Sequence, residues 1–265
     1  MSKPLTEKMI ARKDGPIGWM IFNNPDRHNA LSLDMWEAIP RIIEQFEQDD
    51  VVRVIVLKGE GGRAFVSGAD ISEFEKVRNS VEETIKYDAI GDIATDAILH
   101  AAKPTIAMVE GWCMGGGAAI AISCDMRIAS EKSRYGVPDA KLGVGYQHDG
   151  IQKLMQLVGP SFTKEIFYTG RQFSAEEALA MGLINRIIPG GQLESYVREY
   201  ANTMAANAPL TLRAVKATVT ELNKDPGTRD LGRTEALTAA CFSSEDYIEG
   251  RRAFMEKRPP AFQGR

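Results

Sequence analysis

The stretch that most constrains this chain is Lys103 to Ser130, KPTIAMVEGWCMGGGAAIAISCDMRIAS. Thr105 to Val109 is a short apolar run behind a Lys-Pro boundary, the pattern of a buried strand, and four glycines between Gly111 and Gly117 then break it. Ala118 to Cys124 holds only small or aliphatic residues apart from Ser123, so it reads as a buried helix starting at the glycines. The first N–H groups of such a helix lack partners within it and point back into the turn. Three successive glycines let a ligand oxygen approach the backbone closely, and the helix end adds partial positive charge, so the turn can stabilise a developing oxyanion. A glycine turn that serves close packing alone fits the same pattern.

A chain of 265 residues can bury a substantial core without disulfides or a structural metal. With 44% hydrophobic and 26% charged residues it has ordinary globular composition, and its longest apolar run is too short and too glycine-rich to span a bilayer. The first residues, MSKPLTEKMIARKDG, carry neither an apolar export segment nor an Arg/Ser-rich amphipathic pattern, so the cytoplasm is the expected compartment. Cys113, Cys124 and Cys241 have no metal-ligand spacing; neither a disulfide nor a metal site is expected. A net charge of −4 argues against bulk nucleic-acid binding, yet leaves room for a local basic patch that meets a phosphate-bearing small molecule.

Leu5 to Arg12 and Ile17 to Asn23 flank a Lys-Asp-Gly-Pro turn and read as a hairpin. Leu33, Trp36, Ile39, Ile43 and Phe46 have helical spacing, with Ser32 as the expected N-cap, and Val51 to Lys58 follows as a strand. Gly59 to Gly62 opens no helix in a GxGxxG pattern and no GK[ST] exists, which argues against the Rossmann and P-loop nucleotide loops. Ala64 to Ile71, AFVSGADI, is a second small-residue turn after a strand, and Glu73 to Ala102 is a largely polar helix with weak boundaries. Two strands thus end in such turns, and each can supply one N–H donor to an oxyanion, an interaction worth roughly 3 kcal/mol per donor.

Beyond the central stretch, Tyr135 to Leu142 is irregular, Gly150 to Val158 and Phe162 to Tyr168 are helical, Ser174 opens a helix with a capping box, and Leu183 to Ile188 is a strand stopped by Pro189. Four helical patterns then follow from Leu193 to Glu256. The expected division lies near Pro189 to Gly191, between an α/β body (1–190) and a helical region (191–265).

Five motifs now fall in order: NNPDRHNALS, AFVSGADISEF, the central stretch, GRQFSAEEALAMGLINRIIP, and FSSEDYIEGRRAFMEKRPPAF. From about Asn23 onward the chain resembles the enoyl-CoA hydratase/isomerase family, the crotonase superfamily. The resemblance implies an α/β crotonase-like spiral of ββα units with a C-terminal helical trimerisation region, usually assembled as a dimer of trimers. It implies an acyl-CoA substrate whose enolate is held by two backbone N–H groups, which by position are those of Ser67 and Gly116. The family usually has Ala at Ser67, but a main-chain donor survives that exchange. Coenzyme A would enter as part of the substrate thioester, with no separate cofactor. Arg27, Ala30, Ala69, Asp70 and Ile71 match positions along the CoA nucleotide and pantetheine. Phe254 and Lys257 match a tail segment that approaches CoA, often from a neighbouring subunit. Arg27 and Lys257 also fit solvated surface cations.

The departures concern acid/base chemistry. Hydratases of the family use two glutamates, and the matching positions here are Ala119 and Asp139. A methyl group cannot transfer a proton, so two-glutamate hydration is closed to this chain. Where the family often reads LGTIPGAGGTQRL, this chain reads LGVGYQHDGIQKL, which sets Tyr146, His148 and Asp149 after Asp139 at the expected mouth of the acyl pocket. These groups suggest a relocated proton relay, while His148 or Asp149 could instead cap the helix near Gly150. The resemblance therefore leaves a hydratase-like lyase in which Asp139 acts with one of these neighbours, an isomerase, thioester hydrolase or decarboxylase using the same enolate, and a non-catalytic CoA-ester-binding homologue.

Overall fold

A computed structural model describes residues 6–73 and 79–265, so Leu5 of the expected hairpin and Phe74 of the second motif lie outside the described residues. β1 (Met9–Asp14) and β2 (Ile17–Phe22) pair antiparallel as expected. Parallel to β2 run β3 (Val54–Gly59), β5 (Thr105–Val109), β7 (Met126–Ser130) and β10 (Arg186–Ile188), which gives a six-stranded sheet of order β1-β2-β3-β5-β7-β10. A second sheet takes β4 (Ala64–Val66), β6 (Trp112–Met114), β8 (Arg134–Gly136) and β9 (Phe173–Ser174), in that order. From β3 to β8 successive strands alternate between the sheets, so each turn of the chain leaves one strand in each, the spiral that the resemblance implies.

Alternation along the strands builds two cores. Ile17, Trp19, Ile21, Val54, Val56, Ile106 and Met108 face one side of the large sheet, whereas Met20, Phe22, Ile55, Leu57, Ala107 and Val109 face the other. Burial on both faces explains why these strands read as continuous apolar runs. The second side is covered by α1 (Leu33–Gln48), which packs against α2 (Val81–Leu99), and by α3 (Gly116–Ser123) with the small sheet. Ser32 is the N-terminal boundary residue of α1, but its hydroxyl bonds Asp34 and Lys8 rather than the helix backbone; Glu73 Oε2 instead accepts from Leu33 N at 3.0 Å.

α4 (His148–Thr169) bends at Gly159 and Pro160, and α5 (Ala175–Ala180) carries the expected Ser174–Glu177 capping box. α6 (Leu193–Ala205) lies across the first face of the large sheet, where it buries Leu193, Val197 and Ala201. Burial of Leu193 and Val197 contributes roughly 1.5–3 kcal/mol each, enough to hold a short helix that would be marginal in water. α7 (Pro209–Leu222), α8 (Leu231–Phe242) and α9 (Glu245–Glu256) complete the chain. The C-terminal tail folds back on α9, where buried Asp246 accepts from the amides of Gln263 and Gly264 at 2.6 and 2.8 Å. Among the described residues, no helix is long and apolar enough to cross a membrane.

Candidate active site

Two backbone segments meet at the end of the small sheet. Gly115 enters α3 with φ 49° and ψ −115°, a conformation that an L side chain rarely adopts. At Gly117 a methyl group would lie 2.2 Å from Val66 O, so only glycine lets α3 start this close to the end of β4. The β4–β6 register shifts between Ala64 and Val66, immediately before Ser67, an irregularity that redirects the chain into the turn. That turn is stitched to the 24–32 segment: Leu31 N donates to Gly68 O and Asp70 N to Leu31 O, both at 2.8 Å. Fully buried Asn29 anchors the same segment by donating to Glu60 O at 3.0 Å and Ala64 O at 2.8 Å.

A cavity of about 230 Å³ opens between these segments. Ser67, Gly68, Ala69 and Ile71 form one wall, with Gly115, Gly116, Ala119 and Ile122 of α3 beside them. Gly116 is the first residue of α3, so its N–H has no partner inside the helix. Ser67 N donates to His28 O at 3.2 Å, a long bond at the weak end of the normal range. Asp139 also lines the cavity, and a β-carbon on Gly115 would lie 4.0 Å from Asp139 Oδ1 and 3.9 Å from Gly68 Cα. Ser67, Gly116, Asp139 and Tyr146 thus share one cavity.

The remaining expectations divide. Of the five positions matched to CoA, Ala69 and Ile71 line the cavity while Arg27, Ala30 and Asp70 do not, and Arg27 Nη1 reaches Asp70 Oδ1 at 3.3 Å and Ser72 Oγ at 2.9 Å. Burial alone would raise the Asp70 carboxyl, but Ser72 hydrogen bonds and the charges of Arg27 and Lys8 outweigh it and hold the group below its ordinary range. His148 and Asp149 do not line the cavity. They pair with each other at 2.8 Å, with side chains 87% and 61% exposed, and so do not join Tyr146 at the expected mouth of the pocket. Neither caps α4: the helix begins at His148 behind Gln147, which makes no side-chain cap, so both residues sit in the solvent-facing first turn. Phe254 and Lys257 are also absent from the cavity lining. Phe254 borders a groove of about 1090 Å³ among α7, α8 and α9, and Lys257 ends α9 in a left-handed conformation.

Sequence reading missed what α2 contributes. Tyr87, Asp88, Asp92 and Thr95 line the cavity, as does Trp36, whose Nε1 donates to Tyr87 Oη at 3.0 Å. The i, i+4, i+7 spacing of Asp88, Asp92 and Thr95 was the available signal, hidden in a helix that otherwise looked merely polar. Desolvation raises the Asp92 carboxyl above its ordinary range despite Lys153, with help from Asp96, Asp149 and Asp88, so the cavity is lined by the carboxyl groups of Asp88 and Asp92 as well as that of Asp139. Among the described residues, no group of three or more His, Cys, Asp or Glu side chains could hold a metal ion.

Comparison with known proteins matches residues 12–265 to the enoyl-CoA hydratase/isomerase family. The chain is 35% identical to a short-chain-enoyl-CoA hydratase of Clostridium acetobutylicum, over 94% of this chain and 95% of that one. It is 31% identical to a crotonyl-CoA hydratase of Syntrophomonas wolfei, over 97% and 98% of the two chains. A crystal structure of an enoyl-CoA hydratase/isomerase family protein from Hyphomonas neptunium superposes with a TM-score of 0.94 at 36% identity, covering 99% of this chain and 100% of that one.

Proposed function

Because the chain belongs to the enoyl-CoA hydratase/isomerase family, we propose that it processes acyl-CoA thioesters through an enolate, most simply by adding water to a short 2-enoyl-CoA. The observation that carries this reading is the convergence of Ser67, Gly116 and Asp139 on one cavity. In the proposed complex, the thioester oxygen accepts from Gly116 N–H at the α3 N-terminus and from Ser67 N–H, which shares or trades its long bond to His28 O. These donors hold the charge that develops on oxygen as water attacks the β-carbon. Asp139 takes the proton from that water and returns it to the α-carbon, so one carboxylate serves both steps while Ala119 takes no part in proton transfer. The relatives named for short-chain and crotonyl-CoA hydration support this choice.

Double-bond isomerisation is the second reading, and Ala119 is the observation that favours it: moving one proton between two carbons needs only one carboxylate. Arg27, paired with Asp70 at 3.3 Å, is proposed to meet a CoA phosphate. The apolar groove that includes Val215, Val219, Phe242 and Phe254 supports assembly of three chains or two such trimers, in which Phe254 and Lys257 would reach a neighbour's CoA. Incubation with 2-enoyl-, 3-enoyl- and saturated acyl-CoAs, followed by mass analysis and chromatography, tests the reaction. Water gain on crotonyl-CoA supports hydration, an isomer shift without mass change supports isomerisation, and free CoA as the sole product would overturn both.

A further inference from the structure

Tyr146 stands out among the cavity residues because its surroundings suit a wall better than a proton carrier. Its ring packs edge-on to Phe167 with centroids 4.8 Å apart, and it lies over Gly150 so closely that a methyl group there would come within 2.4 Å of Tyr146 Cε1. Desolvation pushes its phenol up, and the nearby Asp139, Asp92 and Asp88 carboxylates push it further, so the hydroxyl stays protonated across the working range. Behind the ring lies a separate chamber of about 20 Å³, bordered by Leu154, Ile166, Phe167 and Phe173. Ala119, Ile122, Tyr146 and Gly150 border both spaces, so the Tyr146 ring and the α3 face form the partition between them.

The direction of an acyl chain follows from the helix. With the thioester oxygen at Gly116, the chain runs along the α3 face past Ala119, about 4.5 Å further on, toward Ile122, about 9 Å from the start. Ala119 leaves that path open where a longer side chain would fill it. The chain then meets the Tyr146 ring before it can enter the chamber. We propose that Tyr146 is the specificity-determining wall of the acyl site, which restricts the protein to short acyl chains because its ring fills the space between the cavity and the small apolar chamber into which a longer chain would extend. This inference rests on the acyl-CoA reading, not on which reaction follows.

Calorimetric titration of the full-length protein with saturated butanoyl-CoA and octanoyl-CoA tests it. Each methylene buried in an apolar site tightens binding roughly fourfold. The wild type is expected to bind octanoyl-CoA no more than about threefold tighter than butanoyl-CoA, far less than four buried methylenes would give. Tyr146→Ala, which joins the two spaces, should shift the ratio at least tenfold toward octanoyl-CoA, and Tyr146→Phe, which keeps the ring, should hold the wild-type ratio. If Tyr146→Ala does not fold, Tyr146→Leu should still move the ratio threefold or more. A wild type that gains affinity steadily through octanoyl-CoA, or smaller side chains that leave the ratio within twofold, would overturn the wall. Binding of neither ester would overturn it together with the acyl-CoA reading. A shifted ratio in a protein that does not hydrate crotonyl-CoA would remove hydration alone and leave the wall standing.

Discussion

The cavity has two unlike halves. The glycine half is made of backbone: Gly115 is fixed by a positive φ, Gly117 by the lack of room against Val66 O, and the 67–70 turn by its paired bonds to Leu31. The carboxylate half is made of side chains, Asp139 on a short 3-10 turn, Asp92 on the open face of α2, and Tyr146 before α4. A main-chain donor survives a change of side chain, as Ser67 illustrates, whereas a proton relay is gained or lost with one residue, as Ala119 illustrates. In the proposed reading, the chain therefore keeps a means of holding an enolate while its proton chemistry departs from the two-glutamate pattern.

The sharpest break of that contrast is Asp139→Asn, which keeps shape and removes the titrating group. Loss of a general acid/base costs on the order of 10²- to 10⁴-fold in kcat. Steady-state kinetics should show at least a hundredfold fall, while titration shows CoA-ester affinity within a few-fold of wild type. The glycine half should fail differently. Gly117→Ala places a methyl group against backbone that cannot swing aside, so α3 must retreat from β4 and carry Gly116 N–H with it. We expect a fall in turnover on the order of 10²-fold, with a lower Tm from the overpacking. Equal losses of kcat and affinity in both variants would erase the distinction between the halves.

Smaller effects come from α2 and the first turn of α4. The raised Asp92 carboxyl binds its proton more tightly in the folded chain than in the unfolded one, so folding stability declines as pH rises through the folded pKa. Asp92→Asn removes that decline and should raise Tm at neutral pH by on the order of 1 °C, since the group is partly exposed. Melting curves across pH should show the gain vanish as pH falls toward the ordinary carboxyl value of 3.8. Least of all, His148→Gln and Asp149→Asn should keep kcat/KM within about twofold, as exposed substitutions outside the cavity do. Loss of turnover in either would return the relay to the 146–149 segment.

Legibility in the sequence follows the same division. The long strands of the large sheet and the C-terminal helices were readable because apolar runs and 3.6-residue spacing stop at Gly, Pro, Ser and Asp. β4, β6, β8 and β9 were not, since strands of two or three residues carry no period and depend on partners distant in sequence. Among the cavity residues, the positions of Ser67, Gly116 and Asp139 were legible because each sits in a motif. Asp88 and Asp92 were hidden because a carboxylate on a polar helix looks the same facing solvent or a cavity. His148 and Asp149 were misplaced because α4 starts at His148 rather than near Gly150, so Tyr146 lines the cavity and the two later residues meet solvent.

The central claim is that the glycine half holds an enolate while Asp139 moves the proton at the adjacent carbon. It can be tested without knowing the physiological substrate, by incubating the protein with butanoyl-CoA in deuterium oxide and following deuterium at the α-carbon by mass spectrometry. The account predicts enzyme-dependent incorporation by the wild type and at least a hundredfold slower incorporation by Asp139→Asn, with butanoyl-CoA still bound. Incorporation at the same rate in both, or none in a wild type that binds the ester, would contradict it.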